Sequence, residues 1–241
     1  MADLSVQDLR VTREGRSVLD GCTAVFPGGR RTVLWGPSGA GKSTLLSAIA
    51  GLLSPQAGTI RLGDQVFFSQ SEGIDRPPHG RGIGFVFQDL ALWPHLTAIE
   101  QVELVGRAAA LGRAGAVSLL ESVGLGDLAS RRPGQLSGGE QQRLAIVRAL
   151  AGEPSLLLLD EPFASVDRRT RLSLHELLRE LSPRVPGPTI YVTHSSEDAR
   201  ALAEKVLSLE AGRLVSSERP WEGDESDWHR QNLRGEQEKP Q

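Results

Sequence analysis

The sequence predicts an α/β protein built on a mostly parallel β-sheet with a helical segment inserted into it. Three observations carry that prediction. The apolar run "RTVLW" (31–35) ends in a glycine-rich loop, and "STLLSAIAGLL" (43–53) after it has the length and composition of a helix. A purer apolar run, "SLLLLDEP" (155–162), has no polar alternation, as expected of a strand covered on both faces. Helical patterns separate such runs, so strand and helix alternate along the chain.

Taken in order, 31–35 is a strand, 36–44 a loop, and the following residues a helix. From Gln88 to Pro154 the chain is rich in Ala and Leu and offers no convincing strand, which predicts a helical lobe over 88–154 between core segments 1–87 and 155–216. After the 155–162 strand, "RRTRLSLHELLREL" (168–181) is a helix and the β-branched "TIYVTH" (189–194) a strand with a polar tip. Residues 217–241 are polar, with Trp221 and Trp228 as their large apolar groups, and predict a flexible tail.

The 241 residues suffice for one sizeable core. A net charge of -3 and the absence of a basic stripe argue against a nucleic-acid partner. Cys22 is the single cysteine, so no internal disulfide forms and a cytosolic setting fits. The N-terminus "MADLSVQDLR" lacks the apolar segment of a secretory signal, and no apolar run approaches the roughly 20 residues that cross a bilayer. Any membrane role is therefore expected to come through a partner.

The loop "GPSGAGKST" fulfils G-x-x-x-x-G-K-[ST] through Gly36, Gly41, Lys42 and Ser43, with Pro37, Ser38, Gly39, Ala40 and Thr44 completing it. Glycines let backbone N–H groups wrap phosphates, the next helix presents its positive end, and Lys42 is placed to reach the β and γ phosphates. Ser43 is then a Mg²⁺ ligand. Such a loop needs a metal-ordering acid and a group that polarises water. "LLLLDEP" supplies Asp160 for the first and Glu161 for the second. Standing alone, Asp-Glu-Pro after an apolar strand would read as a plain turn.

A second glycine turn, "LSGGEQQR" (136–143), precedes a helix. Ser137 and Glu140 have the spacing of a capping box, and Gly138 and Gly139 leave the N–H groups at the helix start unobstructed toward an anion. Leu144, Val147, Leu150 and Ala151 share the helix face that packs inward. The helix cap and the anion contact are compatible readings.

"GPSGAGKST", the glutamine of "FVFQD", "LSGGEQQR", "LLLLDEP" and the histidine after "TIYVT" occur in the order of the nucleotide-binding subunits of ABC transporters, which the chain resembles to about Val215. The resemblance implies a P-loop NTPase, RecA-like core with a mostly parallel sheet, an N-terminal antiparallel β part and an inserted helical subdomain. It implies ATP and Mg²⁺ as cofactors, ATP hydrolysis, and a second copy of the cassette as partner. Ser137, Gly138, Gly139 and Glu140 of one copy would close over the nucleotide on the other's phosphate loop. Gln88 would contact Mg²⁺ and the attacking water and relay lobe rotation. His194 would hydrogen-bond the γ-phosphate, and Asp167 in "ASVD" would face the partner, with Val166 where leucine is commoner. Transmembrane permease subunits, and for an importer a substrate-binding protein, complete the implied assembly on the inner face of the cell membrane.

One departure stands out. The family usually stacks an aromatic on adenine from near residue 13, where this chain has Arg13. A guanidinium can cover a base through planar and cation-π contact; an ordinary solvated arginine is the alternative. "RRPGQLSGGE" and the lack of spans resemble stand-alone importer subunits, with lipoprotein- or macrolide-type export subunits as the second reading. Soluble ABC proteins of DNA repair or translation usually add a second cassette, a long coiled coil or zinc-binding cysteines, none of which occurs here. An ATP-binding regulator without turnover would be expected to lack Glu161 or His194.

Overall fold

The computed structural model describes residues 1–217 except residue 165; the tail, with Trp221 and Trp228, lies outside the described residues. Two sheets form the body. The first is antiparallel, in the order β2-β1-β4-β5-β6, from β1 (Leu4–Arg13), β2 (Arg16–Phe26), β4 (Ala57–Leu62), β5 (Gln65–Ser69) and β6 (Ile74–Asp75). The second runs β11-β10-β3-β9-β8-β7, from β3 (Arg31–Trp35), β7 (Ile83–Val86), β8 (Leu156–Asp160), β9 (Thr189–Val192), β10 (Lys205–Glu210) and β11 (Arg213–Ser217). Its pairs from β10 through β3, β9 and β8 to β7 are parallel, and only β11 joins antiparallel.

The unbroken apolar run of β8 has a direct cause. Leu157 and Leu159 point into one core, and Leu156 and Leu158 into another on the opposite face. Adjacent residues of β9 divide the same way, Tyr191 to the first core and Ile190 and Val192 to the second. A strand with two dry faces has no position for a polar residue until it ends, and β8 ends at Asp160.

In β1 the buried residues are Leu4, Val6, Leu9 and Val11, a period of two broken once. The break falls at Asp8, which has φ 46°, where the pairing with β2 shifts register. This bulge returns Leu9 to the core face.

The helices are α1 (Lys42–Ala50), α2 (Ala98–Gly106), α3 (Gly112–Ser122), α4 (Gly138–Leu150), α5 (Arg168–Leu181) and α6 (Ser196–Leu202). The helix expected over 43–53 ends at Ala50, because Gly51 turns to φ 77° and donates its N–H to Ala48 O and Ser47 O. The last carbonyls of α1 are also met by Arg81, whose buried guanidinium donates to Ala48 O and Ile49 O, each at 2.8 Å. The match of α5 to its sequence pattern is complete, and Asp167 caps it. Between β7 and β8 the described residues contain α2, α3 and α4 and no strand. Leu144, Val147 and Leu150 of α4 and Ala151 just after it are buried, but so is every residue between them, so the second half of the helix is enclosed on all sides and not on one face alone. Cys22 is buried, with Sγ donating to Gly212 O, and burial pushes its thiol up to about 11, which makes it inert.

Candidate functional site

The parallel strands β3, β8 and β9 end on one side of the sheet, and the loops leaving them meet there. At the end of β3 the chain must pass close to β10: a Cβ on Gly36 would lie 2.5 Å from Leu209 O. Gly41 has φ 101°, a left-handed turn that hands the loop into α1. Lys42 opens the helix and is 5% exposed, with Nζ donating to Gly36 O at 2.8 Å and Pro37 O at 2.9 Å. Burial lowers the Lys42 pKa from the ordinary lysine value, and the nearby charges of Glu161 and Asp160 oppose that shift.

Ser43 Oγ donates to Asp160 Oδ1 at 3.1 Å, joining the phosphate loop to the end of β8. Burial raises the Asp160 pKa, and the hydrogen bond from Ser43 counters it. Glu161 follows with φ 44°, a conformation rare outside glycine, fixed by its N–H donating to Val192 O at 3.1 Å. That turn separates the directions of two consecutive carboxylates. Asp160 meets Ser43, and Glu161 Oε2 lies 3.2 Å from His194 Nδ1.

A cleft of about 430 Å³ opens over these groups, lined by Arg13, Val18, the loop from Ser38 to Thr44, Gln88 and Glu161. Arg13, predicted from one sequence position alone, thus stands at its rim. A more apolar cleft of about 410 Å³, between α3 and the end of α4, has Glu153 and Arg184 as its charged lining residues. No predicted site residue lines it.

Ser137, Gly138, Gly139, Glu140 and Asp167 do not line the Lys42 cleft. They gather instead at the adjacent N-termini of α4 and α5. Ser137 Oγ accepts from Glu140 N at 3.4 Å while Glu140 Oε2 accepts from Ser137 N at 2.7 Å, a capping box. The bond from the Ser137 backbone holds the Glu140 carboxyl below the usual range. The Ser137 hydroxyl hydrogen-bonds the same carboxyl and adds to that shift. A Cβ on Gly138 would meet nothing within 4 Å, whereas one on Gly139 would lie 2.5 Å from Thr170 Cγ2. Asp167 accepts from Arg169 N at 2.9 Å, Thr170 N at 3.1 Å and Thr170 Oγ1 at 2.6 Å, and the Thr170 bonds hold its pKa low.

Several site-supporting residues were not legible in the sequence. Gln142 Nε2 donates to Pro162 O, next to Glu161. Arg148 donates to Leu90 O and Ala91 O, both with positive φ, and stacks over Trp93 at 5.0 Å; it therefore grips the turn that follows Gln88. Val18 lines the cleft from β2. Each is identified by what another segment brings beside it, and no spacing pattern announces that.

A Gly-x-x-x-x-Gly-Lys-Ser loop between a parallel strand and a helix, with an Asp from the next strand but one on its serine, defines a P-loop nucleotide-binding protein. More narrowly, the chain belongs to the ABC transporter family: residues 19–164 match the family model described as ABC transporter. It is 44% identical over 201 residues to the sulfate/thiosulfate import ATP-binding protein CysA of Mycobacterium tuberculosis, covering 81% of this chain and 55% of that protein. It is 41% identical over 192 residues to the molybdenum import ATP-binding protein ModC of Vibrio parahaemolyticus, covering 80% of this chain and 52% of that one. The chain spans about half the length of these curated relatives. Among solved structures, it is similar to the ATP-binding cassette MJ0796, seen as a dimer in a post-hydrolysis state bound to ADP and Pi. The TM-score is 0.76 at 30% identity, over 92% of this chain and 100% of that one.

Proposed function

We propose that the chain is the ATP-binding and ATP-hydrolysing cassette of an importer, working as a pair of copies beneath transmembrane permease subunits. The observation that carries this reading is the convergence of Lys42, Ser43, Gln88 and Glu161 on one cleft, with Asp160 bonded to Ser43 and His194 beside Glu161 just outside its lining. In the proposal, residues 1–87 and 155–216 form the nucleotide core and 88–154 the lobe that relays its state.

The residues fit a nucleotide triphosphate and Mg²⁺. The loop from Gly36 to Thr44 offers backbone donors and one buried ammonium. Ser43 and Asp160 supply one hydroxyl and one carboxylate already in contact, the small protein ligand set that Mg²⁺ uses when phosphates and water complete its shell. Gln88, on the cleft wall, would complete the set. Mg²⁺ there would neutralise phosphate charge.

Within this reading the Glu161 carboxylate orients the attacking water and accepts its proton, while His194 holds that carboxylate and hydrogen-bonds the γ-phosphate. Lys42 leaves its loop carbonyls for the β and γ phosphates. Arg13 covers the base. Ser137, Gly138, Gly139 and Glu140 present an exposed, capped helix end that has no partner in its own cleft. Such an end suits the γ-phosphate held by a second copy, and Asp167 beside it faces the same interface.

Import is supported by the names of the relatives, which span sulfate/thiosulfate, molybdenum and, at 42% identity in Rhodococcus jostii, Fe(3+) import. The features shared with all three therefore carry no solute specificity. Among the described residues no helix is long and apolar enough to cross a membrane, so in this proposal the cassette is peripheral on the cytoplasmic face, and a substrate-binding protein delivers solute to the permease.

The test is the oligomeric state of Glu161→Gln with and without Mg-ATP, by size exclusion with light scattering, beside the same variant carrying Ser137→Arg. An ATP-dependent dimer lost with the second change is the expected result. A dimer insensitive to Ser137→Arg overturns the assignment of Ser137 to the neighbour's nucleotide.

A further inference from the structure

We infer that Asp198 is a positioning residue that sets His194 against Glu161 through a buried hydrogen-bond ring on both sides of the histidine; the inference rests on the ATPase reading above.

The His194 side chain is 59% exposed, so packing does not fix it. Its place must come from the residues on either side, in the short turn between the end of β9 at Val192 and the start of α6 at Ser196. Both neighbours are tied to Asp198. Thr193 Oγ1 donates to Asp198 Oδ2 at 3.1 Å, Ser195 N donates to Thr193 Oγ1 at 2.9 Å, and Asp198 N donates to Ser195 Oγ at 3.3 Å. The ring closes around His194. Its backbone is held while its imidazole is left free to face Glu161 Oε2 at 3.2 Å.

Asp198 is itself anchored by two other elements. His175 Nε2 of α5 meets Oδ1 at 2.8 Å, and the Tyr191 hydroxyl of β9 donates to Oδ2 at 3.1 Å. All three groups are 3% exposed or less. His175 Nδ1 has no hydrogen-bond partner among the described residues, so the ring proton belongs on Nε2, facing the carboxylate. Burial raises the Asp198 carboxyl, but the bond from His175 and the charge of Arg171 outweigh it and hold the group ionised.

The same cluster reaches the segment carrying Glu161. The Phe163 ring packs 5.3 Å from the His175 ring and 5.6 Å from the Tyr191 ring, and Arg171 donates to Phe163 O at 3.2 Å. One buried carboxylate thus braces both halves of the His194–Glu161 pair from beneath. A residue serving only to cap α6 would need the Ser195 bond and none of the other three.

The experiment uses the full chain. Thr193→Val removes the hydroxyl that bridges Asp198 to Ser195 while keeping the shape, and Thr193→Ser restores it. The expected result is kcat for Mg-ATP down about 10- to 100-fold in Thr193→Val with KM unchanged, and wild-type kcat in Thr193→Ser. Imidazole ¹H–¹⁵N spectra should show the His194 resonance, assigned with His194→Gln, displaced in Thr193→Val and Asp198→Asn and unmoved in Thr193→Ser. A folded Thr193→Val with wild-type kcat and an unmoved His194 resonance overturns the inference. Absence of Mg-ATP turnover in the wild-type chain overturns the ATPase reading instead, and the His194 resonance then still decides the positioning.

Discussion

Gln142 Nε2 donates to Pro162 O at 2.6 Å, which ties the helix that Ser137 begins to the turn that carries Glu161. The same helix grips the segment after Gln88 through Arg148, two turns further along. A rigid bar therefore joins the exposed cap, the candidate water-orienting acid and the candidate lobe sensor. Gln142→Ala removes that buried side-chain link to Pro162. It is expected to cost about 1–3 kcal/mol of stability, read by thermal or urea unfolding, and to slow ATP turnover with ATP affinity retained.

Gly139 is glycine because Thr170 leaves no room. Thr170 cannot rotate away, since its Oγ1 is bonded to Asp167 and a β-branched residue in a helix has few rotamers. Gly139→Ala should therefore destabilise by about 1–3 kcal/mol. Gly139→Ala with Thr170→Ser, which keeps the hydroxyl and deletes Cγ2, should recover most of that loss in the same unfolding measurement.

Arg81 is a structural cation. Beyond its two bonds to the end of α1, it donates to Arg76 O at 2.8 Å, pairs with Asp75 at 3.0 Å and lies over the Phe67 ring. Arg81→Ala should cost about 1–3 kcal/mol, because it removes buried donors to Ala48 O, Ile49 O and Arg76 O. Arg81→Lys should not restore stability, since a point charge cannot serve four separate acceptors as the guanidinium does.

Asp198 gives the fold an acid-sensitive element. Its folded pKa lies below the unfolded value of about 3.9. The group thus contributes stability that is fully present above that value and is lost as pH falls toward the folded one. The gap between wild type and Asp198→Asn, measured by denaturant titration, should be about 2 kcal/mol at pH 7 and should shrink below about pH 4.

Arg13 tests the base contact. Arg13→Ala should weaken ATP binding about tenfold by calorimetry, and Arg13→Trp should restore it, since either a guanidinium plane or an aromatic plane can cover a base. Equal affinity in all three forms would remove Arg13 from the site.

Much of this architecture is legible in a linear reading because its causes are local. A glycine loop between an apolar strand and a helix, a strand with no polar position until Asp160, and a Ser-x-x-Glu helix start each announce themselves within about ten residues, and each is found in place. The end of α1 was less legible. Leu52 and Leu53 continue the apolar pattern, but Gly51 turns left-handed and Arg81, distant in sequence, takes the carbonyls. The bulge at Asp8 is similarly hidden, because the pairing of β1 with β2 forces it.

Residue type and short spacing suffice to nominate the candidate residues for phosphate, metal and water. How they are aimed is not local. The different partners of Asp160 and Glu161, the separation of Ser137 from the Lys42 cleft and the anchoring of the ring around His194 arise from contacts between segments far apart in the chain. Backbone turns and buried hydrogen bonds set these, and they form only when the sheet brings the strand ends together.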